Sequence, residues 1–134
     1  MSNITLDRQN PRTTVLLDFD WLFRAGTVAQ DYIRHANDRK WKTVQLPHDP
    51  AVHDDFDHEN SNSANGWLPF GAGVYRKHFR LPADAEGKRV LVEFEGVYRA
   101  AEVWINGQYM GRRLNGYLGF ELDLTEHVEI DAEN

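Results

Sequence analysis

The chain has 134 residues, and its 15 Lys and Arg against 21 Asp and Glu give a formal net charge of −6 at pH 7. A barrel of eight strands and eight helices needs about 250 residues, so this length excludes a large enzyme unless the chain is one part of it. The acidic balance argues against nucleic acid and anionic membranes as partners, and the lack of cysteine in the sequence excludes disulfides, thiolate metal ligands and a cysteine nucleophile.

Two strands are predicted in the first third of the chain. Residues 1–12 are polar and contain an Asn-Pro pair, so we expect an N-terminal tail ahead of one domain over residues 13–134. β-Branched and aromatic side chains favour a strand within residues 13–23. Alternating side chains over residues 41–46, ended by Pro47, predict a second strand.

A long segment without periodicity follows, over residues 47–73. It is rich in Asp, His, Asn, Ser, Gly and Pro. A structureless segment longer than about 12–15 residues in a compact domain is usually functional or disordered. We therefore expect this segment to be the part of the chain that contacts a ligand or a partner.

The remaining residues carry the pattern of an antiparallel sheet. Strands are predicted over residues 74–81, 90–95, 100–105, 108–111 and 120–125. Asn106-Gly107 lies between the third and fourth of these strands, and this pair is typical of a type I′ hairpin turn, whose two central residues need positive φ. Short strands with turn signals and no convincing long helix predict an all-β fold, an antiparallel sandwich.

Histidine and acidic residues concentrate between positions 48 and 59, and such side chains are ligands of zinc and iron. Their spacing fits no helix or strand that would direct three of them at one point, so a solvated acidic loop is the better interpretation. The strand carboxylates fall on the polar phase of each alternation, where no pocket would shift their pKa. These carboxylates are Glu93, Glu95, Glu102, Glu121 and Asp123. The residues thus predict no catalytic group, no metal and no cofactor.

Aromatic side chains are the remaining candidates for binding, because their planes suit the C–H faces of sugar rings. Trp67 lies in the irregular segment, where a ligand or a neighbouring domain would reach it. Four tyrosines have the same potential, Tyr75, Tyr98, Tyr109 and Tyr117. Trp104 is out of phase with Val103 and Ile105, which indicates a sheet covered on both faces, as a partner domain would do.

A series of short motifs runs in order from about residue 20 to residue 128. They are Trp-Lys-Thr-Val-Gln-Leu-Pro-His-Asp at 41–49, Gly-Val-Tyr-Arg-Lys-His-Phe at 73–79, Phe-Glu-Gly-Val at 94–97, Ala-Glu-Val-Trp-Ile-Asn-Gly at 101–107, Gly111, Gly-Tyr at 116–117, Phe120 and Asp-Leu-Thr at 123–125. In this order and spacing the chain resembles the N-terminal sugar-binding domain of glycoside hydrolase family 2, the β-galactosidases, β-mannosidases and β-glucuronidases.

The resemblance implies a jelly-roll β-sandwich of the galactose-binding-domain-like type, followed in the parent enzyme by an immunoglobulin-like domain and a catalytic barrel. The two catalytic glutamates of the family belong to that barrel, so no catalytic residue is carried over and the chain alone is expected to be inactive. In β-galactosidases a loop of this domain helps to shape the sugar subsite. By that resemblance Asp49, Asn62 and Trp67 are the sugar-binding candidates.

The family sandwich continues past the Asp-Leu-Thr motif into a further strand. We therefore expect the domain over residues 13–134 to be truncated before its last strand, which would leave an unpaired edge. Such an edge is a template for association, and a homo-oligomer is one expected consequence.

Other interpretations stay open beside a non-catalytic domain that supports β-glycoside hydrolysis. One is a stand-alone carbohydrate-binding module, and another is a purely structural sandwich that dimerises through its edge. The compartment is also open, because a removed leader would place the protein in the periplasm or outside the cell, and otherwise it is cytoplasmic.

Overall fold

The computed structural model describes residues 1–7, 9–26, 37–53, 59 and 71–134, with residues 52 and 53 described by their backbone. The strands in these ranges are β1 (Ser2–Asn3), β2 (Trp21–Ala25), β3 (Lys42–Val44), β4 (Gly73–Arg76), β5 (Phe79–Arg80), β6 (Leu91–Phe94), β7 (Ala101–Ile105), β8 (Gln108–Arg113) and β9 (Phe120–Asp123). The helical segments described there are short 3-10 turns, Pro50–His53 and Ala83–Ala85. The all-β class predicted from the sequence is confirmed, and the jelly-roll connectivity stays a prediction.

The chain divides into two compact units. The central unit comprises residues 16–77, and the terminal unit comprises residues 1–15 together with residues 78–134. In neither unit do the described residues include a helix with the length and hydropathy that a membrane span requires.

The central unit contains a three-stranded antiparallel sheet in the order β3-β2-β4. Strand β2 is the middle strand, and its Phe23 lies opposite Tyr75 of β4. Gly26 follows β2 with a φ of 91°, and its N–H donates to the carbonyl of Ala72 at 2.7 Å. The register of this sheet places the aromatic side chains of β2 and β4 side by side.

The single strand predicted over residues 74–81 is two strands in the structure. Strand β4 pairs with β2 in the central unit, whereas β5 pairs in parallel with β1 in the terminal unit. The break falls at Lys77 and His78. Periodicity continues across this break, so the side-chain pattern alone does not reveal that the two halves have different partners.

The terminal unit contains the β7–β8 hairpin and the antiparallel pair β6–β9. Asn106 and Gly107 have φ values of 48° and 77° at the hairpin turn, as a type I′ turn requires. A β-bulge lies in β8 opposite the Val103–Trp104 step, because Val103 pairs with Gly111 whereas Trp104 pairs with Tyr109. The hairpin predicted from Asn-Gly is confirmed.

The core of the terminal unit follows the predicted alternation. Leu122 and Leu124 are buried, whereas Glu121 and Asp123 beside them are exposed. The buried residues of this cluster are Phe79, Leu81, Ala85, Ile105, Leu122 and Leu124, and the partly buried residues packed against it include Val90, Val92 and Phe94. Burial of these aliphatic and aromatic side chains is the main stabilising contribution in this unit.

Residues 1–12 are predicted to form a tail ahead of the domain, but the first six of them pack against the rest of the terminal unit. Ser2–Asn3 form β1 against β5, and the Ile4 N–H donates to the carbonyl of Arg80 at 3.1 Å. Ile4 and Leu6 pack against the core cluster. Ile4 and Leu6 alternate with the exposed Asn3 and Thr5, so the chain just after β1 buries one side although the segment is polar on average.

Candidate functional site

Three rings form a cluster in the central unit, and we call Phe23, His48 and Tyr75 the His48 cluster. Their ring centroids lie 4.8 Å apart for Phe23 and His48, 4.9 Å for Phe23 and Tyr75, and 5.7 Å for His48 and Tyr75. All three side chains are half-buried. These distances are those of favourable tilted and edge-to-face aromatic contacts.

The chain after β3 brings His48 to this cluster. The Leu46-Pro47 peptide is cis, and the Leu46 N–H donates to the carbonyl of Asp18 at 2.7 Å. Pro47 has no N–H to continue a strand ladder, so the chain leaves the sheet at this point. His48 follows directly, and its Nδ1 lies 2.9 Å from the phenol oxygen of Tyr75.

The phenol of Tyr75 is held in its neutral form. Burial raises its pKa above the ordinary value, and the nearby carboxylate of Asp49 raises it further. The hydrogen bond with His48 therefore joins a neutral phenol to an imidazole, and its direction follows the imidazole tautomer. Such a pair fixes side chains in place and offers no ionised nucleophile.

Asp49 is exposed beside this cluster and begins the 3-10 turn Pro50–His53. Its Oδ1 accepts a hydrogen bond from the Ala51 N–H at 3.0 Å. An acidic residue that accepts from the second N–H of the turn, followed by proline, is a typical arrangement at a helix start. The carboxylate thus has a structural role as a cap, and Asp49 remains a candidate for sugar binding.

The other two sugar-binding candidates, Asn62 and Trp67, lie outside the described residues. The same holds for most of the acidic and histidine-rich segment after residue 53. Among the residues that the structure describes, no three His, Asp or Glu side chains are grouped so as to hold a metal ion.

An arginine of β4 makes a second set of contacts in the central unit that sequence reasoning missed. The guanidinium of Arg76 lies 4.9 Å from the ring centroid of Trp41 and 3.1 Å from a carboxylate oxygen of Asp38. Arg76 follows Tyr75 directly on β4, and their side chains point to opposite faces. The sequence feature that could have indicated these contacts is a charged residue, Arg76, inside a predicted strand and next to the aromatic Tyr75.

Lys77 ends this segment with a contact to the chain before β2. Its Nζ donates a hydrogen bond to the carbonyl oxygen of Phe19. Burial lowers the pKa of Lys77, and the carboxylate of Asp20 acts in the opposite direction. The side chain thereby ties the end of β4 to the entry of β2.

The five strand carboxylates lie on the solvent-facing side of the predicted strands, as the alternation of side chains indicates. Each of the five is exposed. Asp123 accepts from the Thr125 hydroxyl at 2.6 Å and from Arg89 Nε at 2.8 Å. The Thr125 hydroxyl and N–H and the Arg89 guanidinium lower the pKa of Asp123 to about 2. This shift is opposite to that of a general acid, which needs a raised pKa.

Comparisons with known proteins identify a matching family and similar enzymes. The family described as glycosyl hydrolases family 2, sugar binding domain, matches residues 59–134. A β-glucuronidase of Formosa agariphila is 39% identical over 127 residues, and a β-galactosidase of Bacteroides ovatus is 40% identical over 126 residues. These alignments cover 92% and 93% of this chain but 13% and 15% of the two relatives.

Solved structures give the same result for the fold. A β-glycosidase of Bacteroides vulgatus matches with a TM-score of 0.78 and 36% identity, covering 84% of this chain and 15% of that protein. A glycosyl hydrolase family 2 member of Bacteroides cellulosilyticus matches with a TM-score of 0.76 and 34% identity, covering 87% and 16%. The chain thus spans about a seventh of the length of the proteins that it matches.

Proposed function

We propose that this chain, which belongs to glycoside hydrolase family 2 through its sugar-binding domain, serves as the non-catalytic module of a β-glycosidase. The observation that carries this proposal is the asymmetry of the alignments. Nearly the whole chain matches, yet it accounts for only 13% and 15% of the β-glucuronidase and the β-galactosidase. The catalytic machinery of such an enzyme then lies in its other parts.

The chemistry of the described residues also supports a non-catalytic role for this chain. Glycoside hydrolysis needs two carboxyl groups about 5–10 Å apart on either side of the scissile bond, one of them with a raised pKa. The strand carboxylates are exposed, and Asp123 has a lowered pKa. An exposed carboxylate with a lowered pKa does not donate a proton to a leaving group near neutral pH.

The relatives support a substrate class for the parent enzyme. The names of these relatives indicate a β-glucuronide or a β-galactoside as the substrate of the parent enzyme. The partners within that enzyme are a catalytic barrel and an immunoglobulin-like domain. Asp49, Asn62 and Trp67 are the residues that we assign to its sugar subsite. Asp49 is exposed, and capping occupies its Oδ1.

Activity assays on two proteins test this proposal. The 134-residue chain is incubated with chromogenic β-glucuronides and β-galactosides, in parallel with the chain extended by its downstream coding sequence. We expect no chromophore release by the chain alone and release by the extended protein. Turnover that copurifies with the chain alone would overturn the proposal.

A stand-alone carbohydrate-binding module is the second candidate, and one observation favours it. The terminal unit exposes two neighbouring tyrosine rings, Tyr98 and Tyr117, and aromatic faces suit the C–H faces of sugar rings. Immunodetection of the native polypeptide separates the two candidates by mass. A band near 15.5 kDa supports the module, whereas a band several times larger supports the glycosidase.

A further inference from the structure

The terminal unit exposes two tyrosine rings next to each other. The side chains of Tyr98 and Tyr117 are 59% and 85% exposed. Their ring centroids lie 5.7 Å apart at an interplanar angle of 68°. We call this pair the tyrosine platform. Exposed tyrosine rings of this kind offer an apolar face and a hydroxyl to a ligand.

The platform is held in place by the backbone that carries it. A Cβ at Gly116 would lie 2.7 Å from Cδ2 and 2.9 Å from Cα of Tyr98, so the chain passes directly against that residue. Next to it, Oδ1 of Asn115 accepts a hydrogen bond from the Tyr117 N–H at 2.9 Å. This turn presets the backbone of Tyr117 before any ligand arrives. A backbone that is already ordered lowers the entropy cost of binding.

Arginines are the charged residues of the segments that form the platform, although the whole chain carries −6 and Glu95 directly precedes the first segment. The two segments that form it, residues 96–99 and 112–119, contain three arginines and no acidic residue. The guanidinium of Arg99 lies 5.7 Å from the ring centroid of Tyr98. Arg112 contacts Glu102 at 3.8 Å, and Arg113 lies over the ring of Phe120 at 5.4 Å.

We propose that the tyrosine platform binds a carboxylate-bearing glycan, a chain of uronic acid residues. Tyrosine rings offer apolar faces to the C–H faces of pyranoses and keep a hydroxyl for polar contacts. Guanidinium groups bind carboxylates with charge-assisted, geometrically specific hydrogen bonds. The combination selects an acidic sugar over a neutral one. This inference goes beyond the proposed function, because the platform would hold the polymer while another part of the enzyme cleaves it.

Calorimetric titration of the 134-residue chain tests this binding with two matched ligands. One is an oligomer of β-1,4-linked glucuronic acid and the other is a cello-oligosaccharide of equal length, so that the two differ only in the carboxylates. We expect saturable binding of the acidic oligomer at about millimolar or lower concentration. The neutral oligomer should bind about tenfold more weakly, and added salt should weaken the acidic one.

Variants locate the site. Tyr117→Ala should abolish measurable binding, and Arg99→Gln should reduce the preference for the acidic oligomer. Tyr109→Ala is the matched control, because Tyr109 is also 53% exposed and also paired with an aromatic ring, that of Trp104 at 5.3 Å. This control should bind like the wild type. Thermal unfolding of each variant verifies that these surface changes leave the fold intact.

Three binding results would overturn the inference. They are no saturation up to about 10 mM acidic oligomer, equal affinity for both oligomers, and equal losses in Tyr117→Ala and Tyr109→Ala. Burial of the platform against another domain, seen as protection of residues 116–118 from hydrogen exchange in the extended protein, would also overturn it. None of these results affects the assay of hydrolysis, so the proposed function stands or fails separately.

Discussion

His48 and Tyr75 are joined by a hydrogen bond of 2.9 Å between the imidazole Nδ1 and the phenol oxygen. The two residues are 27 positions apart and belong to two of the motifs that carry the family resemblance. Phe23 of β2 packs against both rings. The Pro-His-Asp and Gly-Val-Tyr-Arg motifs therefore have a shared structural task, which is to fix the segment after β3 against the sheet of the central unit.

Removal of the Tyr75 hydroxyl tests the strength of this link. Tyr75→Phe keeps the ring contacts with Phe23 and removes the hydrogen bond to His48. We expect the free energy of unfolding to fall by about 1 kcal/mol, the typical net contribution of such a bond. Urea denaturation measures the change, with Tyr109→Phe at an exposed position as the control. Equal midpoints for Tyr75→Phe and the wild type would contradict the assigned role.

Asp49 has two proposed roles, as a cap of the 3-10 turn and as a sugar-binding residue. One pair of variants separates them. Asp49→Ala removes the acceptor for the Ala51 N–H, so we expect a loss of about 0.5–2 kcal/mol in the free energy of unfolding. Asp49→Asn keeps an acceptor oxygen and removes the charge, so stability should stay near that of the wild type.

The same pair tests sugar binding in the extended protein. If the carboxylate contacts the sugar, Asp49→Asn should raise KM for the chromogenic glycoside although the fold is unchanged. An unchanged KM in a stable Asp49→Asn protein would leave the residue as a cap alone.

Much of the fold could be predicted because local rules and tertiary structure agree in the terminal unit. The Asn106-Gly107 turn and the alternation around Leu122 need only the period of a strand and the φ preference of a turn. The break at Lys77 and His78 could not be predicted, because it is set by which strand each half pairs with. Strand β1 was missed for a similar reason, since its parallel partner lies more than 70 residues away.

The candidate site was less accessible from the sequence. Asp49 was identified by family resemblance, whereas the contacts of His48 with Tyr75 and of Arg76 with Trp41 depend on the sheet register. Periodicity gives the face on which a side chain lies but not the residue it meets. The bulge at Trp104 illustrates the limit, because one extra residue in β8 changes the pairing without a sequence signal.

Gly116 is predicted to be intolerant of any side chain. A Cβ there would come within 3 Å of two atoms of Tyr98, one of them a backbone atom that cannot rotate away. We expect Gly116→Ala to lower the free energy of unfolding by about 1–3 kcal/mol, as overpacking does elsewhere. Gly71→Ala is the matched control, since a Cβ at that position meets nothing within 4 Å. Similar melting temperatures for the two variants would refute the close approach.

The last prediction concerns stability in acid. The pKa of Asp123 is lowered from 3.8 to about 2 by the Thr125 hydroxyl and N–H and by Arg89. A group whose pKa is lower in the folded state contributes stability when ionised, and that contribution is lost as the pH falls through the folded-state value. For Asp123 the contribution is fully present above about pH 4 and declines between about pH 4 and pH 2.

Asp123→Asn isolates this effect, because asparagine keeps an acceptor for Thr125 but does not titrate. The difference in free energy of unfolding between the wild type and Asp123→Asn should be constant from about pH 7 to pH 5 and should shrink steadily below about pH 4. Urea denaturation across this range measures it, and Glu86→Gln at an exposed position corrects for the loss of one negative charge. Because all other carboxylates titrate in both proteins, their effects cancel in the difference. Parallel stability curves down to about pH 2 would mean that the Arg89–Asp123–Thr125 network does not depend on the charge of Asp123.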